Sequence, residues 1–273
     1  MSSVVQDRPA AAALAGTAPD AEIVRIEALH KDFGGPKVLE DVSFTLSRGH
    51  VHSLIGPNGA GKTTLLNIVS ALYRPSAGRV LIDGHDLATL APHQLAPLGV
   101  SRTFQNLKIC RGMTVLENVL LGAHVGLQGG LWAGIFRPPS LARRDRELTE
   151  RARVLLALVG LDVALDTPPN AMSYGALKRL ELARALMPEP RLLLLDEPAA
   201  GLNPREKVDM GTLIERLAQQ HITVVLIEHD MKLVMGVSDH VVVLNYGRRI
   251  AEGAPNEVAR NPDVIAAYLG TQR

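Results

Sequence analysis

Short apolar bursts alternate with polar positions from Ile23 to Leu46, as in Val42, Phe44 and Leu46, and predict β-strands with one exposed face. A strand ending near Ile55 runs into the glycine-rich stretch Gly56 to Gly61, and Thr63 then opens a helix with Leu65, Leu66, Val69 and Leu72 at helical spacing. Arg79 to Ile82 with Asp83-Gly84 predicts a strand and turn. The middle changes character. Leu148, Ala152, Leu155, Leu156 and Val159 recur on one helical face, with Arg and Glu opposite, after a Gly- and Pro-containing stretch from Gly126 to Ser140. Two near-continuous apolar strands follow, Leu192 to Leu195 and Thr223 to Ile227, with a helix from Pro204 to Gln219 between them. Such strands, alternating with helices, predict a parallel sheet covered on both faces. Val241 to Leu244, the turn Asn245-Tyr246-Gly247 and Arg248 to Ala251 predict a hairpin.

The order of these elements gives an α/β chain: a phosphate-loop NTPase core, an antiparallel β subdomain and an inserted, mostly helical lobe at about 106–180. Residues 1–21, rich in Ala and Pro, read as a disordered tail ahead of one domain at 22–273. They lack a basic start followed by an apolar core, so no secretory signal is expected. The 273 residues suffice for a sizeable core. A net charge of +1 argues against nucleic acid as the main partner. The single cysteine, Cys110, excludes an intramolecular disulfide. His50 and His52 come closest to a metal spacing, but they fall on a strand, and no metal is expected there. No stretch reaches the roughly 18 apolar residues of a membrane span, so any membrane role is expected to run through a partner.

The chemistry begins at Gly56-Pro57-Asn58-Gly59-Ala60-Gly61-Lys62-Thr63, with Thr64 beside it. This is G-x-x-x-x-G-K-[ST], in which glycines let successive backbone N–H groups turn toward phosphate oxygens. Lys62 can reach the β- and γ-phosphates of ATP, and the Thr63 hydroxyl can ligate Mg²⁺. The strand Leu192 to Leu195 delivers Asp196 and Glu197 to the edge of the sheet where ligands bind. Asp196 is expected to hold Mg²⁺ through water, and Glu197 to polarise the attacking water as general base.

With these residues in order, the chain from Ile23 to Arg273 resembles the ATP-binding subunits of ABC transporters. The resemblance implies that Phe33 stacks on adenine and that Gln105 touches Mg²⁺ and water while linking the site to the helical lobe. It implies that Ser173 and Gly175 meet the γ-phosphate held by a second subunit, although Met172, Tyr174 and Ala176 depart from the usual L-S-G-G-Q. Ala200-Gly201-Leu202-Asn203 matches the loop that communicates across the dimer, and His229 matches the switch histidine beside the γ-phosphate.

Within that family the segments 102–107, 113–118, 198–204, 228–235 and 261–270 look like the longer ATPase of branched-chain amino-acid importers. Subunits for urea or amide import, or for lipopolysaccharide export, are the alternatives, along with a clamp that binds ATP but hardly hydrolyses it. The resemblance implies a peripheral place at the cytoplasmic face of the inner (plasma) membrane, with a second, homologous but non-identical ATPase arranged head to tail, two membrane-spanning permease subunits and, indirectly, an extracytoplasmic solute-binding protein as partners. Leu131, Trp132, Ile135 and Phe136 fit either a permease-facing groove or the lobe's own core.

Overall fold

The computed structural model describes residues 21–103, 107–123 and 139–269. All but the last residue of the expected tail, as well as Gln105 and the apolar group Leu131, Trp132, Ile135 and Phe136, lie outside the described residues. A four-stranded antiparallel sheet contains β1 (Glu22–Asp32), β2 (Lys37–Ser47), β4 (Ala77–Ile82) and β5 (His85–Asp86), in the order β2-β1-β4-β5. Its two-residue periodicity is real: Val24 and Ile26 of β1 and Val42, Phe44 and Leu46 of β2 are buried. The intervening Arg25 is exposed, and Glu27, next after Ile26, pairs with Arg79 at 2.5 Å.

The second sheet holds β3 (Val51–Ile55), β6 (Val100–Arg102), β7 (Leu192–Asp196), β8 (Thr223–Ile227), β9 (His240–Asn245) and β10 (Arg248–Gly253). Its order is β10-β9-β3-β8-β7-β6, with only β10 antiparallel to its neighbour. Every residue of β3, β7 and β8 is buried, which is why β7 and β8 are nearly continuous runs of apolar residues; β3 also buries His52 and Ser53. The helices are α1 (Lys62–Val69), α2 (Val115–Leu121), α3 (Pro139–Leu158), α4 (Tyr174–Leu186), α5 (Pro204–Gln219), α6 (Met231–Val237), α7 (Pro255–Val258) and α8 (Pro262–Leu269). None of the described helices is long and apolar enough to cross a membrane.

Helix α5 has the bounds the sequence predicts because Asn203 and Glu206 form a reciprocal capping box, at 2.9 and 3.0 Å, ahead of Pro204. Helix α1 differs at both ends. It starts at Lys62 and stops at Val69, leaving Leu72 exposed beyond it. Ala71 takes a left-handed φ of 54°, and the N–H groups of Ala71 and Leu72 bond back to Ile68 and Asn67 at 2.9 and 2.8 Å. That is a Schellman stop built without glycine, which composition alone does not signal. In the β9–β10 hairpin the turn proper is Tyr246-Gly247, both left-handed at φ 45° and 77°, and Asn245 closes β9.

Helices α2, α3 and α4 pack on one another, and Val115, Val119, Leu155, Leu156 and Leu180 share one buried cluster with Leu193, Leu195 and Leu226 of the second sheet. The helical lobe is thus continuous with one face of that sheet. Its last helix runs on to Leu186, past the expected boundary near residue 180.

His52 is buried in β3, and its Nε2 lies 2.8 Å from the Ser47 carbonyl oxygen. Burial, with His240 and His50 adding to it against Ser47 and Asp239, lowers its pKa from 6.5 to about 4. The unfolded chain therefore binds a proton that the folded chain refuses between those values, so stability rises with pH through that window. We expect the wild type to lose up to about 3 kcal/mol through this group on acidification from pH 7 to pH 4. Urea unfolding at several pH values checks it: His52→Gln should flatten the slope, and an unchanged slope contradicts the assignment.

Candidate functional site

Because β3, β8 and β7 are parallel neighbours, their C-terminal ends lie side by side at one edge of the sheet. Adjacent strands are about 4.8 Å apart, so the segments that follow them are forced together. Residues 56–61 follow β3, Glu197 follows β7, and Glu228-His229 follows β8 between them.

The phosphate loop takes its shape from Gly56, Gly59 and Gly61, at φ 150°, 80° and 100°. A Cβ on Gly56 would fall on the Leu244 carbonyl oxygen, and one on Gly61 would come within 2.7 Å of Leu39 Cδ2 and 2.9 Å of the Val38 oxygen. The loop is also fixed from outside, since the Gly247 N–H donates to the Ala60 oxygen at 3.1 Å. Pro57 and Ala60 are buried, while Asn58, Gly59 and Thr63 are exposed and Thr64 is half-buried. The Lys62 ammonium reaches back over the loop to the Gly56 and Pro57 oxygens at 2.6 and 2.9 Å. Burial lowers its pKa from the usual lysine value, and the Glu197 carboxylate opposes that. Lys62 and Glu197, 135 positions apart by their numbers, thus share one electrostatic environment.

Asp196 ends β7 and is 3% exposed. One of its oxygens accepts a hydrogen bond from Arg102 at 3.1 Å, and Arg102 also grips Asn67 of α1 and Ser70 just after it, each at 2.7 Å. Burial raises the Asp196 pKa, with Arg102 pulling it back toward the ionised form. Glu197 adopts a left-handed φ of 50° and donates its N–H to the Ile227 oxygen at 2.9 Å. A non-glycine residue held there is strained by about 1–3 kcal/mol, a feature that clusters at functional sites. The His229 ring is largely exposed, and its Nδ1 stands 3.8 Å from a Glu197 carboxylate oxygen, just beyond hydrogen-bond range.

Ser173 caps α4, its hydroxyl accepting the Ala176 N–H at 3.2 Å. Gly175 lies so close to Glu206 that a Cβ there would overlap its carboxylate. The Tyr174 ring lies against Gly201, where a Cβ would approach Cε1 to 2.9 Å, so this non-consensus residue packs on the loop after Glu197. The structure therefore brings Lys62, Asp196, Glu197 and His229 together. Among the described residues no hydrogen bond or ion pair joins Ser173 or Gly175 to the phosphate loop. Phe33 sits between β1 and β2, 58% exposed, edge-on to Tyr73 at 5.4 Å. It is not a core aromatic.

The sequence profile of the ABC transporter family matches residues 39–200. The chain belongs to the ABC transporter family. A second profile, of branched-chain amino acid ATP-binding cassette transporters, matches residues 248–273 of this ABC cassette. Over 249 residues the cassette is 45% identical to the high-affinity branched-chain amino acid transport ATP-binding protein BraF of Pseudomonas aeruginosa, covering 91% of this chain and 98% of that one. It is 43% identical to the corresponding LivG protein of Escherichia coli K12, with the same coverage. Among solved structures it resembles the ADP conformation of MJ1267, an ATP-binding cassette of an ABC transporter, with a TM-score of 0.80 and 33% identity over 92% of this chain and 99% of that one. It also resembles a dimeric post-hydrolysis state of the cassette MJ0796 bound to ADP and Pi, with a TM-score of 0.73 and 25% identity over 85% and 99%.

Four residues that sequence reasoning passed over also build this site: Arg102 on Asp196, Lys178 on the Glu197 carbonyl at 3.1 Å, Glu228 beneath His229, and Tyr268. Tyr268, on α8 within the second profile match, packs with Ile55 and Val243. Burial raises its pKa, and a hydrogen bond from the Gly56 N–H to its hydroxyl opposes that. The position of Glu228 directly after the apolar run Val224 to Ile227 was an available signal; none marks Lys178, which neighbours Arg179, or Tyr268.

Proposed function

We propose that this cassette binds and hydrolyses ATP to energise an importer of branched-chain amino acids from the cytoplasmic face of the membrane. It acts head to tail with a second, homologous ATPase and drives two permeases fed by an extracytoplasmic solute-binding protein. The observation that carries the enzymatic part is the meeting of Lys62, Asp196, Glu197 and His229 at one sheet edge. The solute is supported by the names of the full-length relatives.

The glycine cradle, which a single Cβ would fill, suits a phosphate chain. Lys62 and the loop N–H groups bind and orient its β- and γ-phosphates. Thr63 and Asp196, with Gln105, would hold Mg²⁺, which neutralises charge on those oxygens. Glu197 accepts the proton of the water that attacks the γ-phosphorus, and ADP leaves. His229 holds the γ-phosphate oxygens and the Glu197 carboxylate in register. Ser173 and the Gly175 N–H are presented to the γ-phosphate held by the second subunit, at the start of α4 where the helix dipole favours an anion. Contacts made with ATP and lost with ADP close and reopen the dimer.

On this reading Phe33 stacks on adenine. Phe33→Ala should weaken ATP binding by roughly ten-fold, from a stacking contribution of about 1–3 kcal/mol. Nucleotide titration checks this, with Phe33→Tyr expected to retain affinity. The solute is tested by uptake of labelled leucine, isoleucine and valine in source cells lacking this chain. Uptake should be lost, and restored by the wild type but not by Lys62→Ala. Intact leucine uptake with lost urea uptake would move the protein to the amide-importing branch.

A further inference from the structure

Glu228 is 1% exposed although it adjoins the largely exposed His229. One carboxylate oxygen accepts the Ala199 N–H at 2.8 Å, and the other accepts the His229 N–H at 3.1 Å. Ala199 lies two residues beyond Glu197, so one buried carboxylate ties the loop after the general base to the backbone of the switch histidine. From the opposite side, Lys178 of α4, 5% exposed, donates its ammonium hydrogen to the Glu197 carbonyl oxygen at 3.1 Å. Its charge is felt by Glu228, Glu181, Glu197 and Asp196 together.

Two opposite charges are thus buried around one strained residue. Burying opposite charges is costly, and an apolar pair of similar size would often serve stability as well or better. What an apolar pair cannot do is hold three specified backbone groups. The Glu197 carbonyl also accepts the Ala200 N–H at 3.2 Å, a contact within its own turn, whereas Lys178 ties it to α4 and Glu228 ties Ala199 to His229.

We propose that Glu228 and Lys178 are positioning residues that set the Glu197 carboxylate and His229 at their working separation. The inference rests on the ATPase reading above and deepens it. Neither residue touches ATP, so their loss slows turnover without weakening nucleotide binding. Glu228→Gln keeps the shape but turns one acceptor into a donor facing an N–H. Lys178→Met removes the donor to Glu197.

The test is steady-state phosphate release by the full chain with its partner ATPase, normalised to ATP-binding sites titrated in the same sample. Each single variant should lose roughly ten- to a hundred-fold in kcat, the range of one charge-assisted hydrogen bond. ATP affinity should stay within about two-fold. Lys178→Arg should recover most of the rate, and Lys178→Met/Glu228→Gln should be no slower than the worse single variant. Per-site rates within two-fold of wild type in either folded variant would overturn the proposal. So would an ATP affinity that falls in step with kcat. If Glu228→Gln does not fold, Lys178→Met and Lys178→Arg decide the matter. A wild-type complex without turnover would instead remove the ATPase reading itself.

Discussion

Glu197→Gln is expected to lower ATP turnover by roughly 10²–10⁴-fold, the contribution of a positioned general base, while ATP binding stays intact. The amide is nearly isosteric with the carboxylate, so the left-handed backbone at φ 50° and its hydrogen bond to Ile227 have no reason to change. Only the capacity to take a proton from water is lost. Asp196 cannot substitute for it, because it is buried and already paired with Arg102 at 3.1 Å. On the proposed reading His229 does not take over as base either, because its role there is to hold the γ-phosphate; its Nδ1 stands 3.8 Å from the carboxylate. Phosphate release under saturating ATP checks this, and turnover unchanged by the substitution would remove Glu197 as the base.

Gly56→Ala should abolish useful nucleotide affinity. At φ 150° the residue is in a region that L side chains avoid, and its new methyl group would overlap the Leu244 carbonyl oxygen, part of the β9 backbone. Neither strand nor loop can yield cheaply, because Leu244 is fully buried and pairs with β10. The loop would shift, and with it the N–H groups aimed at phosphate. Two misdirected donors at about 1.5–3 kcal/mol each imply an affinity loss of roughly a hundred-fold or more. Gly59→Ala is the matched control. It also has a positive φ, 80°, but a Cβ there meets nothing within 4 Å. Only a backbone cost of about 1 kcal/mol is expected for it. Titration of ATP into both variants separates steric exclusion from conformational strain, and equal losses would contradict the steric account.

Much of the site was legible because its chemistry is local in sequence. The phosphate loop is one unbroken run between a strand and a helix, and Asp196-Glu197 closes an apolar strand. The capping box of α5 likewise lies within four residues. What stayed hidden depends on partners far along the chain. Arg102 meets Asp196 across 94 positions, Glu228 meets Ala199 across 29, and Lys178 meets the Glu197 carbonyl across 19. None of these pairs has a spacing that a helix or hairpin would dictate. The end of α1 departs from its sequence pattern for another reason: Leu72 keeps the helical period, but Ala71 reverses the backbone in a conformation usually left to glycine.

Tyr174 and Ala176 also look different in three dimensions. The tyrosine ring covers Gly201, and the Ala176 N–H is held by the Ser173 cap, so the departure from consensus leaves the helix start intact. This weighs against a degraded signature and in favour of a working composite site.

The composite site is tested most directly by the molar mass of the Glu197→Gln chain, alone and with its partner ATPase, with and without ATP and Mg²⁺. Light scattering should show monomers without nucleotide and a mass corresponding to two ATPase chains only when ATP is present. Chains saturated with ATP that remain monomeric, even with the partner, would contradict a site completed by Ser173 and Gly175 of a second subunit.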